Sequence, residues 1–485
     1  MNIPKEVKDV VEKLKQSGFE AFLVGGCVRD FLLGIEPQDW DIATSAKPEE
    51  IQKTFPESFY ENKFLTVTAK TKSNNPKLKE IEITTYRKEA KYTDKRHPDE
   101  IGFAKSIEED LARRDFTINA IALGFNKKKE KITDPFKGQK DLEKKIVKAV
   151  GNPKERFGED ALRMLRAVRF ASVFGFKIDK KTADAIEENS NWLKAVSKER
   201  VRDEFVKIIM SDRPAEGIEI LRKLGLLKHI VPEIEEGYKV SQNKHHIYDC
   251  YEHSLESLKY AAKKGFNKYV RITAFLHDVA KPRVKRGKGS DATFYNHEVV
   301  GAKMTAQILE RLKFSKKDIE KIVKLVRYHL FYYNVGEVSE SSVRRLVSRA
   351  GLENMEELLE VRMSDRIGSG VPKAEPYKLR HLKYVIEKIS QDPISSKALE
   401  INGNDIMEIL KIKPGPEIGW ILEILLGNIL SDPSKNKKDI LVEQVKGFSD
   451  LDRDELRKKA ETAKKEREKI ETKKDEMTKN KYWVS

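Results

Sequence analysis

The run Val24-Gly25-Gly26-Cys27-Val28-Arg29-Asp30, followed by Gln38-Asp39-Trp40-Asp41-Ile42-Ala43-Thr44, restricts the fold more than any other part of the chain. An apolar strand over 19–24 enters a Gly-Gly turn and leaves it as a short helix over 28–34. Paired glycines let backbone N–H groups approach an anion with no Cβ in the way, and the helix N-terminus adds partial positive charge there. The expected product is a phosphate cradle at Gly25 and Gly26. Asp39 and Asp41 then stand at i and i+2 of a strand-like run, where alternation turns both carboxylates to one face. Hard oxygen ligands so placed suit Mg²⁺, which binds through one or two carboxylates together with substrate phosphates. Asp39 and Asp41 are therefore the candidate catalytic and metal-binding pair.

Charge narrows the partner. The 485 residues carry 95 Lys and Arg against 79 Asp and Glu, a net +16. The excess is spread along much of the chain and favours a polyanion, since each neutralised phosphate releases counterions. Two cysteines, Cys27 and Cys250, cannot build a disulfide framework, and no Cys-x-x-Cys offers a zinc site. No apolar run approaches the ~20 residues of a membrane span, and the opening residues lack an apolar signal core. A cytoplasmic protein with no membrane partner is expected.

Residues 4–17 have helical spacing, with Val7, Val10, Val11 and Leu14 on one side and Gly18 as the stop. Strands are expected over 65–71 and 81–86. In the second, Glu82 projects opposite to Ile81 and Ile83, as a solvent-facing acid or a third carboxylate near the metal. Residues 87–98 are charged, aperiodic and closed by Pro98, the pattern of a mobile loop. Arg29 and Asp30 can pair with each other or contact substrate. Arg113-Arg114-Asp115 with Asn119 reads as a salt-bridge cluster or as a binding motif. Residues from Arg156 to Phe170 read as helix, which would set Asp160 and Arg163 three apart on one face.

Together these motifs resemble the nucleotidyltransferase superfamily, in the wording of the class II tRNA CCA-adding enzymes and their bacterial poly(A) polymerase relatives. The loop text Tyr92…Arg96-His97-Pro98…Phe103 and the segments Ile401-Asn402-Gly403-Asn404-Asp405 and Pro414-Gly415-Pro416-Glu417 are closer to the former. The resemblance implies that Gly25, Gly26, Arg29, Arg113, Asp115 and Asn119 face ribose and triphosphate. It also implies that Asp134-Pro135-Phe136…Gly138…Asp141 is a turn joining sheet to helices. Glu159-Asp160-x-x-Arg163, with Arg166, is then the base-selecting motif, and Ser197-Lys198-Glu199-Arg200-Val201-Arg202-Asp203 continues the match. Chemically, a carboxylate accepts from an exocyclic amine and a guanidinium donates to ring nitrogens or a carbonyl, so two side chains can read C or A.

The second half is rich in histidine. His245-His246, His253, His277-Asp278, His297 and His329 precede Asp365, and Phe275-Leu276-His277-Asp278-Val279-Ala280-Lys281 resembles the HD phosphohydrolase signature. His253, His277, Asp278 and Asp365 form the expected metal set, suited to Ni²⁺, Co²⁺ or Mn²⁺, with His297 and His329 as candidates for a second position. Residues 451–480 alternate Lys and Glu and read as a solvated helix or a disordered tail.

The expected fold class is α+β: an N-terminal nucleotidyltransferase palm with a small mixed β-sheet, then an all-α neck, body and tail that include a helical HD domain. The boundaries are 1–145 for the palm, 146–235 for the helical neck, 236–370 for the HD domain, 371–450 for a C-terminal tRNA-binding segment and 451–485 for the charged tail. The implied activity is template-independent addition of CCA to tRNA from CTP and ATP. The alternatives are a poly(A) polymerase, a CC-only or A-only enzyme, or an HD-type phosphohydrolase with an RNA-binding front half.

Overall fold

The computed structural model of the chain describes residues 3–61, 66–90, 100–126, 129–243, 247–390 and 399–484. Its backbone divides into two compact units, Met1–His329 with Glu360–Pro372, and Leu330–Leu359 with Lys373–Ser485.

The first unit begins with the helix Lys5–Gln16, whose Val7, Val10, Val11 and Leu14 are all buried, as their spacing predicts. A sheet follows, built from β1 (Ala21–Val24), β2 (Asp41–Thr44), β3 (Ser58–Glu61), β4 (Thr66–Lys70) and β5 (Glu80–Thr85). The strands β6 (Arg87–Ala90) and β7 (Glu100–Phe103) stand apart as a two-stranded pair, and β8 (Ala122–Asn126) and β9 (Lys129–Thr133) complete the main sheet. Its order is β3-β4-β5-β2-β1-β8-β9, antiparallel except for β2 beside β5, so the sheet is mixed as expected. Alternation sorts the side chains. Leu23, Ile42, Ile81 and Ile83 join the helix Lys5–Gln16 in one apolar core, while Val24 and Ala43 belong to a second cluster on the other face. Each fully buried Leu or Ile contributes ~1.5–3 kcal/mol to holding that arrangement.

Three local expectations are corrected. The strand β2 starts at Asp41, so Asp39 lies in the bend before it rather than in the strand. The segment read as a mobile loop instead pairs Arg87–Ala90 with Glu100–Phe103 at its two ends. The middle of that segment, with Tyr92, Arg96 and His97, lies outside the described residues. The helix expected through Arg156–Phe170 is broken in two, Pro153–Glu159 and Leu162–Phe174, because Asp160 is extended at φ −145° and ψ 105° and uses its carboxylate to accept the N–H of Leu162 at 3.0 Å. That is capping behaviour, which competes with helix continuation.

The rest of this unit is helical apart from the short parallel pair Ile146–Val147 and Lys177–Ile178. Cys250–Lys263, Lys268–Leu276, His297–Arg311 and Lys316–Tyr328 pack through Tyr251, Leu258, Phe275, Leu276, Ile308 and Ile322. Asp249, Asn267 and Ser315 cap three of them with side-chain acceptors. Arg271, buried, donates to the backbone carbonyls of Phe266 at 2.8 Å and Ser211 at 2.9 Å.

In the second unit, Ile406, Ile421, Leu425, Leu441, Val445 and Leu456 form a separate core. The tail left open as solvated or disordered is a capped helix, Arg453–Tyr482. It buries Leu456, Ala460 and Ala463 along one stripe. Gly427 sits where an added Cβ would come within 3.1 Å of the Ala463 Cβ, so the glycine permits close approach of that helix. Among the described residues no helix is long and apolar enough to cross a membrane.

Candidate active site

The Gly-Gly turn opens a cavity of about 720 Å³ in the first unit. Gly25 has φ 77°, a left-handed conformation that strains any residue with a side chain, and a Cβ there would push the Arg114 guanidinium aside. The helix that follows starts at Gly26, two residues earlier than expected. Of the backbone donors expected to stay bare, that of Gly25 is given to the Ile121 carbonyl at 3.4 Å.

Asp39 and Asp41 line the cavity from beside the turn, and Glu82 joins them because β2 and β5 run parallel with Asp41 opposite Glu82. Trp40, between the two aspartates, points into the core. Burial and the neighbouring Asp39 charge push the Asp41 carboxyl up to about 6, against the pull of Arg114. An anionic corner that resists its own ionisation fits a divalent cation, which would neutralise it.

Arginines outnumber carboxylates among the lining residues. Two of them, Arg29 and Arg166, belong to one run of polar contacts. Arg29 pairs with Asp30 at 2.7 Å and donates to Oδ1 of Asn119 at 2.8 Å. Asn119 donates to Asp115 at 3.1 Å, and Asp115 receives Arg166 through Nε at 2.7 Å and Nη2 at 2.6 Å. Burial alone would raise the Asp115 carboxyl, but Arg166 and Arg163 outweigh it and hold the group at about 2. Arg113 and Arg114 both grip the buried Asp110, at 3.1 and 3.3 Å. The Arg-Arg-Asp motif is thus not a cluster within itself: Arg113 and Arg114 pair with Asp110, Asp115 pairs with Arg166, and all three motif residues line the cavity.

The pair expected to select the base is arranged differently from expectation. Asp160 and Arg163 line the cavity but do not share a helical face, because the helix breaks at Asp160. Arg163 is held by Glu159 at 2.6 Å, and Glu159, which also binds Arg156 at 2.8 Å, is not among the lining residues. Sequence reasoning did not single out Arg87, Arg169 or Arg200, which also line the cavity. All three lay in stretches already read, Arg87 in 87–98, Arg169 in the run to Phe170 and Arg200 in the 197–203 motif, but no local pattern marked them as facing a ligand.

A second cluster lies among the helices. His253, His277, Asp278 and Asp365 bring their ligand atoms within 4.8 Å of one another, and so do Asp278, His297 and His329. Nε2 of His253 lies 3.0 Å from Oδ2 of Asp278 and 3.4 Å from Oδ1 of Asp365, while Nε2 of His297 lies 3.3 Å from the other Asp278 oxygen. His277, His297 and His329 each place Nδ1 against the carbonyl three residues earlier, at 2.7–2.9 Å, which leaves Nε2 turned inward. The His-Asp doublet sits in the turn after the helix Lys268–Leu276, not on it. Burial opposes charge on His277, but Asp278 and Asp365 prevail and raise it to about 10, whereas burial and the His277 charge lower His329 to about 3. His245 and His246 lie outside the described residues.

A strand-turn-helix head with paired aspartates and a cavity rich in arginine defines a nucleotidyltransferase, and residues 21–148 match the family model of the poly A polymerase head domain. Residues 294–445 match a model for tRNA nucleotidyltransferase domain 2. The chain is 34% identical over 464 residues to the CCA-adding enzyme of Ligilactobacillus salivarius, covering 92% of this chain and 97% of that protein. It is 32% identical over 446 residues to the CCA-adding enzyme of Lactococcus lactis, covering 91% and 96%. A solved structure of the Bacillus stearothermophilus CCA-adding enzyme in complex with CTP aligns with 91% of this chain and 97% of that one, at a TM-score of 0.59 and 25% identity. The chain belongs to the CCA-adding enzyme family. That fold implies a divalent metal; among the described residues the groups of three or more side chains close enough to share an ion are the two His/Asp sets among the helices.

Proposed function

We propose that this chain carries out its family's reaction, the template-independent addition of C, C and A to the 3′ end of tRNA from CTP and ATP, in the cavity beside the Gly-Gly turn. The observation that carries the assignment is that Asp39 and Asp41, the arginines and the Asp160/Arg163 pair all line one cavity. Its volume is in the range of small-molecule sites. Asp39 and Asp41 would hold Mg²⁺, whose chemistry there is to acidify the tRNA 3′-hydroxyl and neutralise charge on the departing pyrophosphate. Arg29 and Arg166, oriented by Asn119 and Asp115, and Arg113, held by Asp110, receive the triphosphate. Asp160 accepts from the exocyclic amine of C or A, and Arg163 donates to the ring edge. A reducing, cytoplasmic setting fits the two cysteines, both free and buried. The test is to incubate the protein with tRNA lacking CCA and each labelled nucleotide separately and together. Two C additions and one A are expected; continued A addition would point to poly(A) synthesis, and arrest after CC to a partial enzyme.

The converging His/Asp cluster favours a second reading, a phosphohydrolase centre. His253, His277, Asp278 and Asp365 would hold Ni²⁺, Co²⁺ or Mn²⁺, with His297 and His329 serving a second position through Asp278. The metal's chemistry there is to lower the pKa of water towards ~7. Elemental analysis of purified protein, with hydrolysis of a 2′,3′-cyclic nucleotide as readout, tests it. Protein that binds none of these metals and cleaves no phosphate ester would rule it out.

A further inference from the structure

Asp160 is held by a residue from a distant stretch of the chain. Its Oδ1 accepts from the N–H of Leu162 at 3.0 Å, and its Oδ2 accepts from Nη2 of Arg200 at 2.7 Å. Arg200 belongs to the helix Lys198–Ile209 and lines the same cavity. Arg163 is held separately, by Glu159 and, at 3.3 Å, by the carbonyl of Arg113. The two members of the base-reading pair therefore have independent anchors.

The Arg200–Asp160 contact is also incomplete in an informative way. An arginine that serves only to neutralise a carboxylate commonly engages both oxygens through parallel N–H donors. Here one oxygen is taken by a backbone N–H, and the buried Nη1 of Arg200 has no hydrogen-bond partner among the described residues. Each carboxylate oxygen can accept more than one hydrogen bond, so Asp160 stays fixed in orientation and still able to accept.

We infer that Arg200 is a positioning residue for nucleotide choice, which locks Asp160 as an acceptor and keeps Nη1 ready as a further donor to the base. This rests on Asp160 and Arg163 reading the base edge. C and A carry an exocyclic amine where U and G carry a carbonyl. A carboxylate that cannot turn away faces that carbonyl oxygen to oxygen, so the wrong base meets repulsion as well as a lost hydrogen bond. Without Arg200 the carboxylate can swing aside, and the repulsive half of the discrimination goes.

The test compares Arg200→Ala, Arg200→Lys, Asp160→Ala and the double variant Asp160→Ala/Arg200→Ala in incorporation of all four nucleotides onto matched tRNA ends. The readout is the ratio of CTP to UTP and of ATP to GTP, which is insensitive to the fraction of protein that folds. Arg200→Ala is expected to lower both ratios on the order of tenfold, the scale of one charge-assisted hydrogen bond. Arg200→Lys should restore part of the loss, and the double variant should be no less selective than Asp160→Ala alone, because both act through one carboxylate. If Asp160→Ala relaxes selectivity while Arg200→Ala slows all four nucleotides equally, the role of Arg200 is overturned and the base-reading pair stands. If Asp160→Ala leaves the ratios unchanged, both assignments fall.

Discussion

The arginine-lined cavity and the His/Asp cluster hold their charged side chains in opposite ways. In the cavity, charges line an open space and are held by one another, as in the run from Asp30 through Arg29, Asn119 and Asp115 to Arg166. In the cluster, His253 and His277 are fully buried and Asp278 nearly so, and backbone carbonyls orient three of the imidazoles. A site for a large, exchanging polyanion needs room and many donors. A site for a small resident cation needs a few ligands at fixed distance, and solvent excluded.

The largest effect should separate the two sites outright. Asp39→Ala or Asp41→Ala is expected to abolish nucleotide addition while tRNA binding stays within about tenfold, because a basic surface supplies most of the affinity for RNA. Wild-type, metal-dependent incorporation in either variant would break the assignment. Replacing His277 and Asp278 together should remove transition-metal content and ester hydrolysis and leave CCA addition intact. If addition collapses while protein remains folded, the two regions are not functionally separate.

A smaller effect is expected within the cavity. Asp160→Ala or Arg163→Ala should degrade the choice of CTP and ATP over UTP and GTP more than it slows any accepted nucleotide, with ~1–3 kcal/mol at stake for each unpaired polar group. An equal drop for all four nucleotides would mark the pair as structural.

The smallest effect concerns stability and sharpens the contrast between the carboxylates. Asp41 has its carboxyl raised from 3.8 to about 6. Between those values the folded protein keeps a proton that the unfolded chain has released, so metal-free stability falls as pH rises through the window. Asp41→Asn should therefore stabilise the metal-free protein at pH 7 by about 1–3 kcal/mol, and the gain should vanish below about pH 4. Asp115, lowered to about 2, has the opposite sign: it stabilises above the ordinary carboxyl value, and that contribution is lost as pH falls towards 2. Urea unfolding in EDTA across pH checks both, and a destabilised Asp41→Asn protein at pH 7 would contradict the picture.

The sequence by itself determined what depends on a few consecutive residues. The Gly25 turn was legible because a left-handed backbone, φ 77°, favours glycine over any residue with a side chain. The buried stripe of the first helix and the split of Ile81 and Ile83 from Glu82 follow from periods of 3.6 and 2. The His and Asp residues of the second cluster were visible as candidates, because the His277-Asp278 doublet stands among other histidines. Only the tertiary structure decided which of two nearby cations holds Asp160. The spacing favoured Arg163, three residues away, yet the helix breaks at Asp160 and Arg200 takes the carboxylate from 40 positions along the chain. Likewise the parallel pairing of β2 with β5 sets Glu82 beside Asp41, and packing of separate helices brings His297 and His329 to Asp278. Backbone geometry and periodicity are local and can be read from neighbours. The choice of ion-pair partner is settled by long-range packing, because several charges of equal chemistry compete and only the one delivered within about 3 Å at a buried position wins.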